Sequence, residues 1–505
     1  MTESSGVIEQ VLHWADTTPT ATAMIGARGG SVTYGDLGRQ VRAIAGGLVG
    51  AGLKPVDGVL FSVRPSVDAL VLALGTVAAG GVLVFADPGA GPELFAARVR
   101  RANPKWAIAE SLLYAASGWS PARSLALRRG LLLPDLAALK VQHIFAGRWL
   151  PGVPDGALSV RRLIDAEPIE QPVARWATAP TVIIFTAGTT QMPRAVSHTL
   201  PTLTAGLGLL RQRLELGPDD IVHTDQLMLG LPALTSGATW SLPGTPVVPR
   251  RFGAQVRKRR VTHAFAVPAD MARILDANPS LPKQLRCVLL GAAPVLPALL
   301  RRVVAAAPNA DVLSVYGMTE AAPIAVVSAQ EKLAHSEAGQ AGDLLGAPLE
   351  GVRARIADDG ELVISGPHIA GYLGHPTPTE IATGDLARLD DTGRVVMMGR
   401  KKDMIIRGKV NIYPGLYEPL IAAQPGVAEA VMVGVPDPDT GDETVVLAVV
   451  PGPQAPADLP ERLSRDLPDV LDSYALPDRI VVVSEMPVAG RTRKLDRAAL
   501  RERLV

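Results

Sequence analysis

Short hydrophobic runs alternate with longer helical stretches over about residues 30 to 330. The runs GVLF, VLVF, WAIA, TVIIF, VLL and DVLSVY are short and apolar, as buried strands are. Between them lie segments rich in alanine, leucine and arginine, and in one of these, Thr33 to Gly50, apolar residues recur with helical spacing. This alternation is typical of an α/β protein with a mostly parallel sheet.

The uncharged stretch from Ala69 to Ala86 has the length of a membrane-spanning helix. Its interior argues against a span, because Gly80-Gly81 interrupts it and the VLVF run that follows is β-branched. We predict a helix, a turn and a buried parallel strand here, with no membrane span. The segment MTESSGVIEQ lacks the cationic start of a signal peptide, so a cytoplasmic protein is expected.

The pattern changes twice toward the C-terminus. From Gly342 to about Met398, short β-runs are separated by Asp-Asp-Gly and Asp-Thr-Gly, which are typical of hairpin turns, so a β-subdomain is predicted over 342–398. After Gly399-Arg400 a fresh pattern of strands and helices begins. The predicted fold is α/β: an N-terminal domain of mixed and parallel sheets flanked by helices over 1–398, and a small α+β C-terminal domain over 399–505.

Composition narrows the classes of function. The chain of 505 residues has 50 Lys and Arg against 49 Asp and Glu, so no global charge attracts nucleic acid or an anionic membrane. Small-molecule chemistry is therefore expected. The one cysteine, Cys287, lies in an apolar run and is predicted to be a buried core thiol.

Candidate chemistry begins where the strand TVIIF runs directly into Thr186-Ala187-Gly188-Thr189-Thr190. A glycine flanked by hydroxyl residues offers backbone N–H and side-chain O–H donors without bulk, which suits a polyphosphate. Arg194 supplies a cation shortly afterwards. For this segment taken alone, an ordinary threonine-rich turn is the alternative.

In its motifs the chain resembles the adenylate-forming superfamily of acyl-CoA synthetases, luciferases and nonribosomal-peptide adenylation domains. Residues 185–196 follow the family's phosphate loop in order, although Ala187, Gln191, Arg194 and Ala195 replace the usual Ser, Gly, Lys and Gly. Arginine keeps the positive charge but presents a planar fork. The loss of two glycines predicts a stiffer loop, because glycine alone adopts positive φ freely.

The resemblance assigns nucleotide contacts to three further motifs. Tyr316-Gly317-Met318-Thr319-Glu320 matches the motif in which the aromatic ring packs on adenine, the threonine meets the α-phosphate and the glutamate helps to hold Mg²⁺. Gly291-Ala292-Ala293-Pro294 resembles the small-residue wall beside adenine. Thr383-Gly384-Asp385 resembles the motif whose carboxylate accepts from both ribose hydroxyls. A strand end followed by a helix-capping threonine is the alternative for Thr319.

Two motifs lie at and beyond the predicted domain boundary. Gly399-Arg400-Lys401-Lys402-Asp403 matches the boundary motif, which assigns Arg400 to ribose or phosphate contact and Lys402 to the hinge. Lys494-Leu495-Asp496-Arg497 resembles the terminal motif, whose lysine stabilises the charge that develops as pyrophosphate leaves. The resemblance thus implies a mobile C-terminal domain. An exposed lysine at a helix start is the alternative for Lys494.

The resemblance implies two half-reactions. A carboxylate and MgATP give acyl-AMP and pyrophosphate, and after rotation about Lys402 a second nucleophile takes the acyl group. The implied cofactors are ATP, Mg²⁺ and CoA or a carrier phosphopantetheine. The expected partners are a small-molecule carboxylic acid that is fatty or otherwise apolar, and an acyl carrier protein where the thiol is not that of CoA. The chain is expected to be a monomer or a homodimer.

Two departures from the family concern the acyl group and its acceptor. The usual glycine pair beside the pantetheine channel is Gly408-Lys409 here, and the acyl-pocket loop 225–237 lacks the family's aromatic-His feature. Core packing is the alternative for the aliphatic residues of that loop. An apolar pocket for an alkyl chain is predicted from Leu227, Met228, Leu229 and Leu231.

A narrower resemblance follows from these departures. Val63-Arg64-Pro65-Ser66, Asp87-Pro88-Gly89 and Ala293-Pro294-Val295 are similar to olefin-pathway β-lactone synthetases, which adenylate a β-hydroxy acid and need no CoA. The segment Asn411-Ile412-Tyr413-Pro414 looks more like ordinary acyl-CoA ligases. Thioester formation is the first hypothesis and lactone formation the second. A catalytically weak nucleotide-binding protein, suggested by the altered phosphate loop, is the third.

Overall fold

The computed structural model describes residues 6–128, 131–186, 194–244, 247–407, 410–436, 443–489 and 494–504. The helices in these ranges are α1 (Val7–Thr17), α2 (Tyr34–Gly50), α3 (Val67–Ala78), α4 (Pro92–Ala102), α5 (Ser111–Gly118), α6 (Ser120–Arg128), α7 (Val160–Ile164), α8 (Leu200–Arg213), α9 (Leu227–Thr235), α10 (Pro249–Lys258), α11 (Pro268–Ala277), α12 (Pro297–Ala306), α13 (Ala329–Glu337), α14 (Pro414–Ala422), α15 (Leu459–Asp466) and α16 (Arg497–Leu504). Short 3₁₀ turns lie at Pro88–Ala90, Lys401–Asp403, Leu467–Asp469 and Ser473–Ala475.

The strands in these ranges are β1 (Thr22–Ile25), β2 (Ser31–Thr33), β3 (Gly58–Ser62), β4 (Val82–Phe85), β5 (Trp106–Glu110), β6 (Gln142–Ala146), β7 (Leu158–Ser159), β8 (Pro180–Thr186), β9 (Arg194–Thr199), β10 (Ile221–His223), β11 (Thr239–Ser241), β12 (His263–Ala266), β13 (Cys287–Gly291), β14 (Asp311–Met318), β15 (Ala321–Ser328), β16 (Asp343–Gly346), β17 (Arg353–Ile356), β18 (Glu361–Ser365), β19 (Gly371–Tyr372), β20 (Glu380–Leu389), β21 (Val395–Arg400), β22 (Ile405–Arg407), β23 (Val410–Ile412), β24 (Val427–Pro436), β25 (Glu443–Pro451), β26 (Arg479–Val482), β27 (Val488–Ala489) and β28 (Lys494–Leu495).

Two eight-stranded sheets form most of the N-terminal domain. Their strand orders are β19-β9-β8-β4-β3-β5-β6-β7 and β15-β14-β13-β12-β10-β11-β1-β2. The strands from β8 to β7 in the first sheet and from β14 to β1 in the second run parallel. Antiparallel strands lie at the β19-β9 edge of the first sheet and at both edges of the second. The predicted α/β class is therefore confirmed, and the six apolar runs lie in β3, β4, β5, β8, β13 and β14.

The predicted helix from Thr33 to Gly50 is confirmed as α2, with Thr33 as its N-cap. The Thr33 side chain accepts a hydrogen bond from the Asp36 backbone N–H at 3.1 Å, which satisfies one of the free donors at a helix start. The helix packs closely on α3, where a Cβ at Gly75 would lie 2.5 Å from Ile44 Cγ2. Glycine at this position is therefore required for the close approach of the two helices.

The uncharged stretch Ala69 to Ala86 folds as the sequence predicts. Helix α3 ends at Ala78, Gly80 turns the chain with a φ of 88°, and β4 continues as a parallel strand between β3 and β8. Across the ranges described above, no helix combines the length and the apolar character that crossing a membrane requires.

A five-stranded antiparallel sheet follows, with the order β16-β21-β20-β18-β17. Both predicted hairpins are present, because β17 pairs with β18 across Asp-Asp-Gly and β20 pairs with β21 across Asp-Thr-Gly. The smaller C-terminal domain has a separate core that includes Met432, Leu447 and Leu463. It contains the sheet β24-β25-β26, the ribbons β22-β23 and β27-β28, and helices α14 to α16.

Two side-chain contacts join the three sheets of the N-terminal part at one place. His198 on β9 contacts the backbone oxygen of Thr319, which follows β14. Tyr316 on β14 in turn contacts Asp385 on β20. Tyr316, Thr319 and Asp385, which the motifs predict to bind the nucleotide, therefore lie around a junction of sheets.

Candidate active site

The predicted phosphate segment begins and ends on two paired strands. Strand β8 ends at Thr186 and β9 begins at Arg194, and these two residues are Cα partners in the antiparallel pair. The hydroxyl and the cation predicted to contact phosphate are thus held opposite each other. The intervening predicted residues lie outside the described ranges: Ala187, Gly188, Thr189, Thr190 and Gln191.

Glu320 is a buried carboxylate beside Arg194. Its Oε1 accepts a hydrogen bond from the hydroxyl of Tyr372 at 3.1 Å. Burial raises the pKa of Tyr372, the Glu320 carboxylate raises it further, and the Arg194 guanidinium opposes the rise. The predicted metal-binding carboxylate and the predicted phosphate-binding cation therefore lie close to the same phenol.

A single buried carboxylate suits Mg²⁺ that is bound together with a substrate, and it is too few ligands for a metal ion that only the protein holds. Among the side chains that the structure describes, no group of three or more His, Cys, Asp and Glu could hold a metal ion. Mg²⁺ commonly binds one or two carboxylates together with substrate phosphate oxygens and several waters. Glu320 could hold Mg²⁺ in this manner.

Thr319 and Glu320 lie in the turn between β14 and β15. The alternative of a helix-capping threonine is wrong, because an antiparallel strand follows and not a helix. His198 Nε2 lies 2.8 Å from the Thr319 backbone oxygen, and since a carbonyl can only accept, Nε2 carries the proton of this hydrogen bond. Burial lowers the pKa of His198, which favours the neutral ring.

Asp385 is an almost fully buried carboxylate with two polar neighbours. The Tyr316 hydroxyl donates to Oδ2, and Arg400 Nε lies 2.6 Å from Oδ1. Burial raises the pKa of Asp385, while the Arg400 guanidinium and the Tyr316 hydroxyl act against the rise. Tyr316 and Arg400 are therefore assembled around the Asp385 acceptor, and all three residues are predicted to contact the nucleotide.

The predicted adenine wall begins at the end of β13. A Cβ at Gly291 would lie 2.4 Å from Val315 Cγ1 and 3.0 Å from the Val315 backbone oxygen, so a larger residue would displace the strand that carries Tyr316. Ala292 has a φ of 66°, in the left-handed region, and Ala293-Pro294 follow outside a strand. A Cβ at Gly317 would likewise lie 3.2 Å from the Ala321 backbone oxygen.

Lys494 lies in the short strand β28, where it pairs with Ala489. The alternative of a helix-start lysine is wrong, because helix α16 begins at Arg497. Although the residue is exposed, loss of solvation lowers the pKa of Lys494, Arg400 and Lys402 lower it further, and Asp385 opposes them. The structure thus brings the lysine of the C-terminal domain near the carboxylate predicted to bind ribose.

The predicted hinge residue Lys402 is the middle residue of the 3₁₀ turn between β21 and β22. The next residue, Asp403, has an Oδ2 that lies 3.3 Å from Nε of Arg497 at the start of α16. Arg497 also donates to both carboxylate oxygens of Glu418 at 2.7 and 2.6 Å. The C-terminal side of Lys402 is therefore tied to the C-terminal domain. Gly408 and Lys409 lie outside the described residues.

The sequence alone gave no role to four of these residues, namely His198, Tyr372, Glu418 and Arg497. Arg497 is the last residue of the terminal motif 494–497 and His198 lies two positions after the phosphate motif 185–196, so their nearness to motifs was a usable signal. Tyr372 had no such signal, because its role depends on the pairing of β19 with β9.

The predicted acyl-pocket residues lie on helix α9. Leu229 is buried in a cluster with Phe265, and Met228 and Leu231 pack against the main N-terminal core, while Leu227 is exposed. These contacts agree with the core-packing alternative for three of the four. A cavity beside this helix is lined by other residues, among them His223, Asp225, Phe265 and Val267.

Cys287 is buried at the start of β13, as predicted. Burial raises the pKa of its thiol to about 12, so the thiolate is nearly absent at neutral pH. The thiol is therefore unsuited to nucleophilic catalysis.

Two protein-family models, several curated proteins and several solved structures are similar to this chain. Residues 11–373 match the family model of the AMP-binding enzyme, and residues 417–493 match that of the AMP-binding enzyme C-terminal domain. A feruloyl-CoA synthase from an Amycolatopsis species is 30% identical over 498 residues, which cover 94% of each chain. A fatty acid–[acyl-carrier-protein] ligase from Streptomyces coeruleorubidus is 28% identical over 523 residues, which cover 96% of this chain and 94% of the ligase. The structure of an amide bond synthetase from Marinactinospora thermotolerans aligns with a TM-score of 0.80 at 26% identity, over 98% of this chain and 99% of that one.

Proposed function

Because this chain belongs to the AMP-binding enzyme family and is an acyl-CoA synthetase-like ligase, we propose that it converts an apolar carboxylic acid and ATP into acyl-AMP and pyrophosphate. The acyl group then passes to the thiol of CoA or of a carrier protein. The observation that carries this proposal is the assembly of Tyr316 and Arg400 around the buried carboxylate of Asp385, and the charges of Arg400 and Asp385 also act on the pKa of Lys494. A lysine of the C-terminal domain is thus within electrostatic reach of the proposed ribose site.

The proposed nucleotide site uses the residues around Asp385. The ring of Tyr316 packs on adenine beside the small residues Gly291 to Pro294, where bulk would block the base. The Asp385 carboxylate accepts hydrogen bonds from the two ribose hydroxyls, and Arg400 neutralises its charge. Thr186 to Thr190 and Arg194 bind the phosphates through hydroxyl, backbone and guanidinium donors.

In the first half-reaction, a carboxylate oxygen of the acid bonds to the α-phosphorus, and the bond from that phosphorus to pyrophosphate breaks. Negative charge grows on the oxygens around the phosphorus, where Lys494 and Thr319 are proposed to stabilise it. Mg²⁺, when bound with ATP at Glu320, supplies further neutralisation of the phosphates. Neither Lys494 nor Thr319 needs to gain or lose a proton in this step.

In the second half-reaction, the thiolate sulfur attacks the acyl carbon, and AMP leaves with the former carboxylate oxygen. We propose that the domain of residues 399–505 first rotates against residues 1–398 about Lys402, so that Lys494 withdraws. The contacts of Asp403 with Arg497 support a pivot at this point, because they hold the next residue to the C-terminal domain. The names of the related feruloyl-CoA synthase and fatty acid–[acyl-carrier-protein] ligase support CoA or a carrier protein as the acceptor.

The acid is proposed to be fatty or otherwise apolar. The proposed lining is Leu227, Met228, Leu229 and Leu231, of which Leu227 is exposed and the other three also pack in the core. The relatives named for feruloyl and fatty acyl groups also act on acids with extended apolar parts. A compact, highly charged acid would be a poor fit to such a surface.

A panel of fatty, β-hydroxy and aromatic acids tests the proposal. The purified protein is incubated with each acid, ATP and Mg²⁺, with and without CoA or a phosphopantetheinylated carrier. The products are then identified by mass spectrometry. AMP with an acyl thioester that requires the thiol is the expected result. A β-lactone formed without thiol would favour the lactone hypothesis, and no AMP with any acid would favour a nucleotide-binding protein and contradict the proposal.

A further inference from the structure

Glu361 connects two motifs that are distant in the sequence. It is the first residue of β18, and its side chain is only 13% exposed. One carboxylate oxygen, Oε1, accepts a hydrogen bond from the backbone N–H of Gly384 at 2.8 Å. The other, Oε2, accepts from Lys401 Nζ at 2.9 Å. Both oxygens of this partly buried group are therefore satisfied by different segments of the chain.

The contact with Gly384 acts on the bulge of β20 that presents Asp385 (the Gly384–Asp385 turn). Gly384 has a φ of 75°, which few other residues adopt without strain. The turn is held from its other side by Thr383, whose hydroxyl donates to the Leu362 backbone oxygen at 2.9 Å and accepts from Asp385 N–H at 3.1 Å. Because Glu361 and Leu362 are consecutive residues of β18, one strand end fixes the whole turn.

The contact with Lys401 fixes the carboxylate in turn. Lys401 Nζ lies 2.6 Å from Asp359 Oδ2 as well as 2.9 Å from Glu361 Oε2, so it bridges two carboxylates of one hairpin. Charge-assisted hydrogen bonds of this kind are shorter and stronger than neutral ones. Lys401 lies between Arg400, which contacts Asp385, and the proposed hinge residue Lys402.

We propose that Glu361 is a positioning residue for nucleotide binding, which holds the Gly384–Asp385 turn in the geometry that receives ribose and ties it to the hinge segment through Lys401. This inference rests on the proposed function, since it assigns the ribose to Asp385. Glu361 does not contact the nucleotide. Its effect passes through the backbone of Gly384.

The binding of two nucleotides to the wild type and to a variant of Glu361 tests this indirect action. Equilibrium dissociation constants of ATP and of 2′,3′-dideoxy-ATP are measured by calorimetry on the full chain, for the wild type and for Glu361→Ala. Loss of the charge-assisted hydrogen bond to the partly buried Gly384 N–H is expected to weaken ATP binding by about tenfold. The same substitution is expected to weaken dideoxy-ATP binding by less than about twofold, because that nucleotide lacks the hydroxyls that Asp385 would bind.

Two variants separate positioning from folding. Glu361→Gln keeps a carbonyl oxygen for Gly384 N–H and is expected to bind ATP within about threefold of the wild type. Asp358→Asn is the matched control, because it removes an exposed carboxylate of the same hairpin turn that contacts neither Lys401 nor Gly384; its ratio of ATP to dideoxy-ATP affinity should equal that of the wild type. Melting temperatures accompany each measurement.

The outcomes are distinct. Equal weakening of both nucleotides by Glu361→Ala, or no weakening of ATP binding, overturns the positioning role. A wild type that binds both nucleotides equally removes the ribose role of Asp385 and this inference with it, yet leaves acyl-AMP formation standing. A wild type that binds neither nucleotide contradicts the proposed function itself.

Discussion

Arg400 Nε lies 2.6 Å from Asp385 Oδ1, and the two residues face each other across the antiparallel strands β20 and β21. The arginine side chain is 44% exposed and the aspartate side chain 3% exposed, so a solvated cation covers a buried anion. A buried carboxylate without a partner would be strongly destabilised. The pair therefore maintains an acceptor at the place where the ribose is proposed to bind.

We expect Asp385→Asn to raise the KM for ATP by about tenfold to a hundredfold, since hydrogen bonds to charged groups contribute about 1.5–3 kcal/mol. The measurement is ATP–pyrophosphate exchange at saturating acid. Asp391→Asn, in the exposed hairpin turn of the same sheet, is the control and should leave the KM unchanged. An unaltered KM in Asp385→Asn would remove the ribose role.

Lys494→Ala should slow adenylation by at least about a hundredfold, because one donor to a developing oxyanion contributes about 2.7–4 kcal/mol. Thioester formation from chemically prepared acyl-AMP should stay within about threefold of the wild type, since the lysine acts only in the first half-reaction. Lys283→Ala, at an exposed position, serves as the control. Equal loss in both half-reactions would refute the assigned role.

The lowered pKa of Lys494 predicts a dependence of the rate on pH. The protonated amine is the form that stabilises negative charge, and it is lost as the pH rises through the folded-state pKa, which lies below the usual lysine value of about 10.4. Adenylation should therefore decline on the alkaline side with a midpoint below that value. In Lys494→Arg the remaining activity should decline only at higher pH, and an identical midpoint in both proteins would contradict this explanation.

Gly291→Ala should destabilise the fold by about 1–3 kcal/mol, as overpacking does. The added methyl group would lie 2.4 Å from Val315 Cγ1 between two central strands. Denaturant unfolding measures the effect, and Gly30→Ala is the control because a Cβ there meets no atom within 4 Å. Equal stability of the two variants would contradict this prediction, because it would mean that β13 and β14 accommodate the added methyl group without a loss of stability.

Much of the architecture could be predicted from local patterns. The apolar runs, the glycine interruption after α3 and the two Asp-containing hairpin turns depend on neighbours in sequence, and all appear in the structure. The side-chain contacts of the site depend instead on how sheets meet. His198 contacts Thr319 across 121 positions of the sequence, and no periodicity reveals such a pair.

The acyl pocket shows a different limit of sequence reasoning. A pocket lining and a core have the same aliphatic composition, so the pattern at Leu227 to Leu231 could not separate them. Glu361 shows a third limit, because the sequence predicts only that it follows a hairpin turn. Its contact with Gly384 follows from the register of β18 and β20, which the sequence does not specify.

The central claim is that the acid is activated as acyl-AMP, and oxygen-18 transfer tests it most directly. An acid labelled with oxygen-18 in both carboxylate oxygens is turned over with ATP and the thiol, and the AMP is analysed by mass spectrometry. AMP is expected to carry oxygen-18 from the carboxylate, because that oxygen remains on phosphorus when the thiol attacks the acyl carbon. Unlabelled AMP, or ADP as the nucleotide product, would contradict it.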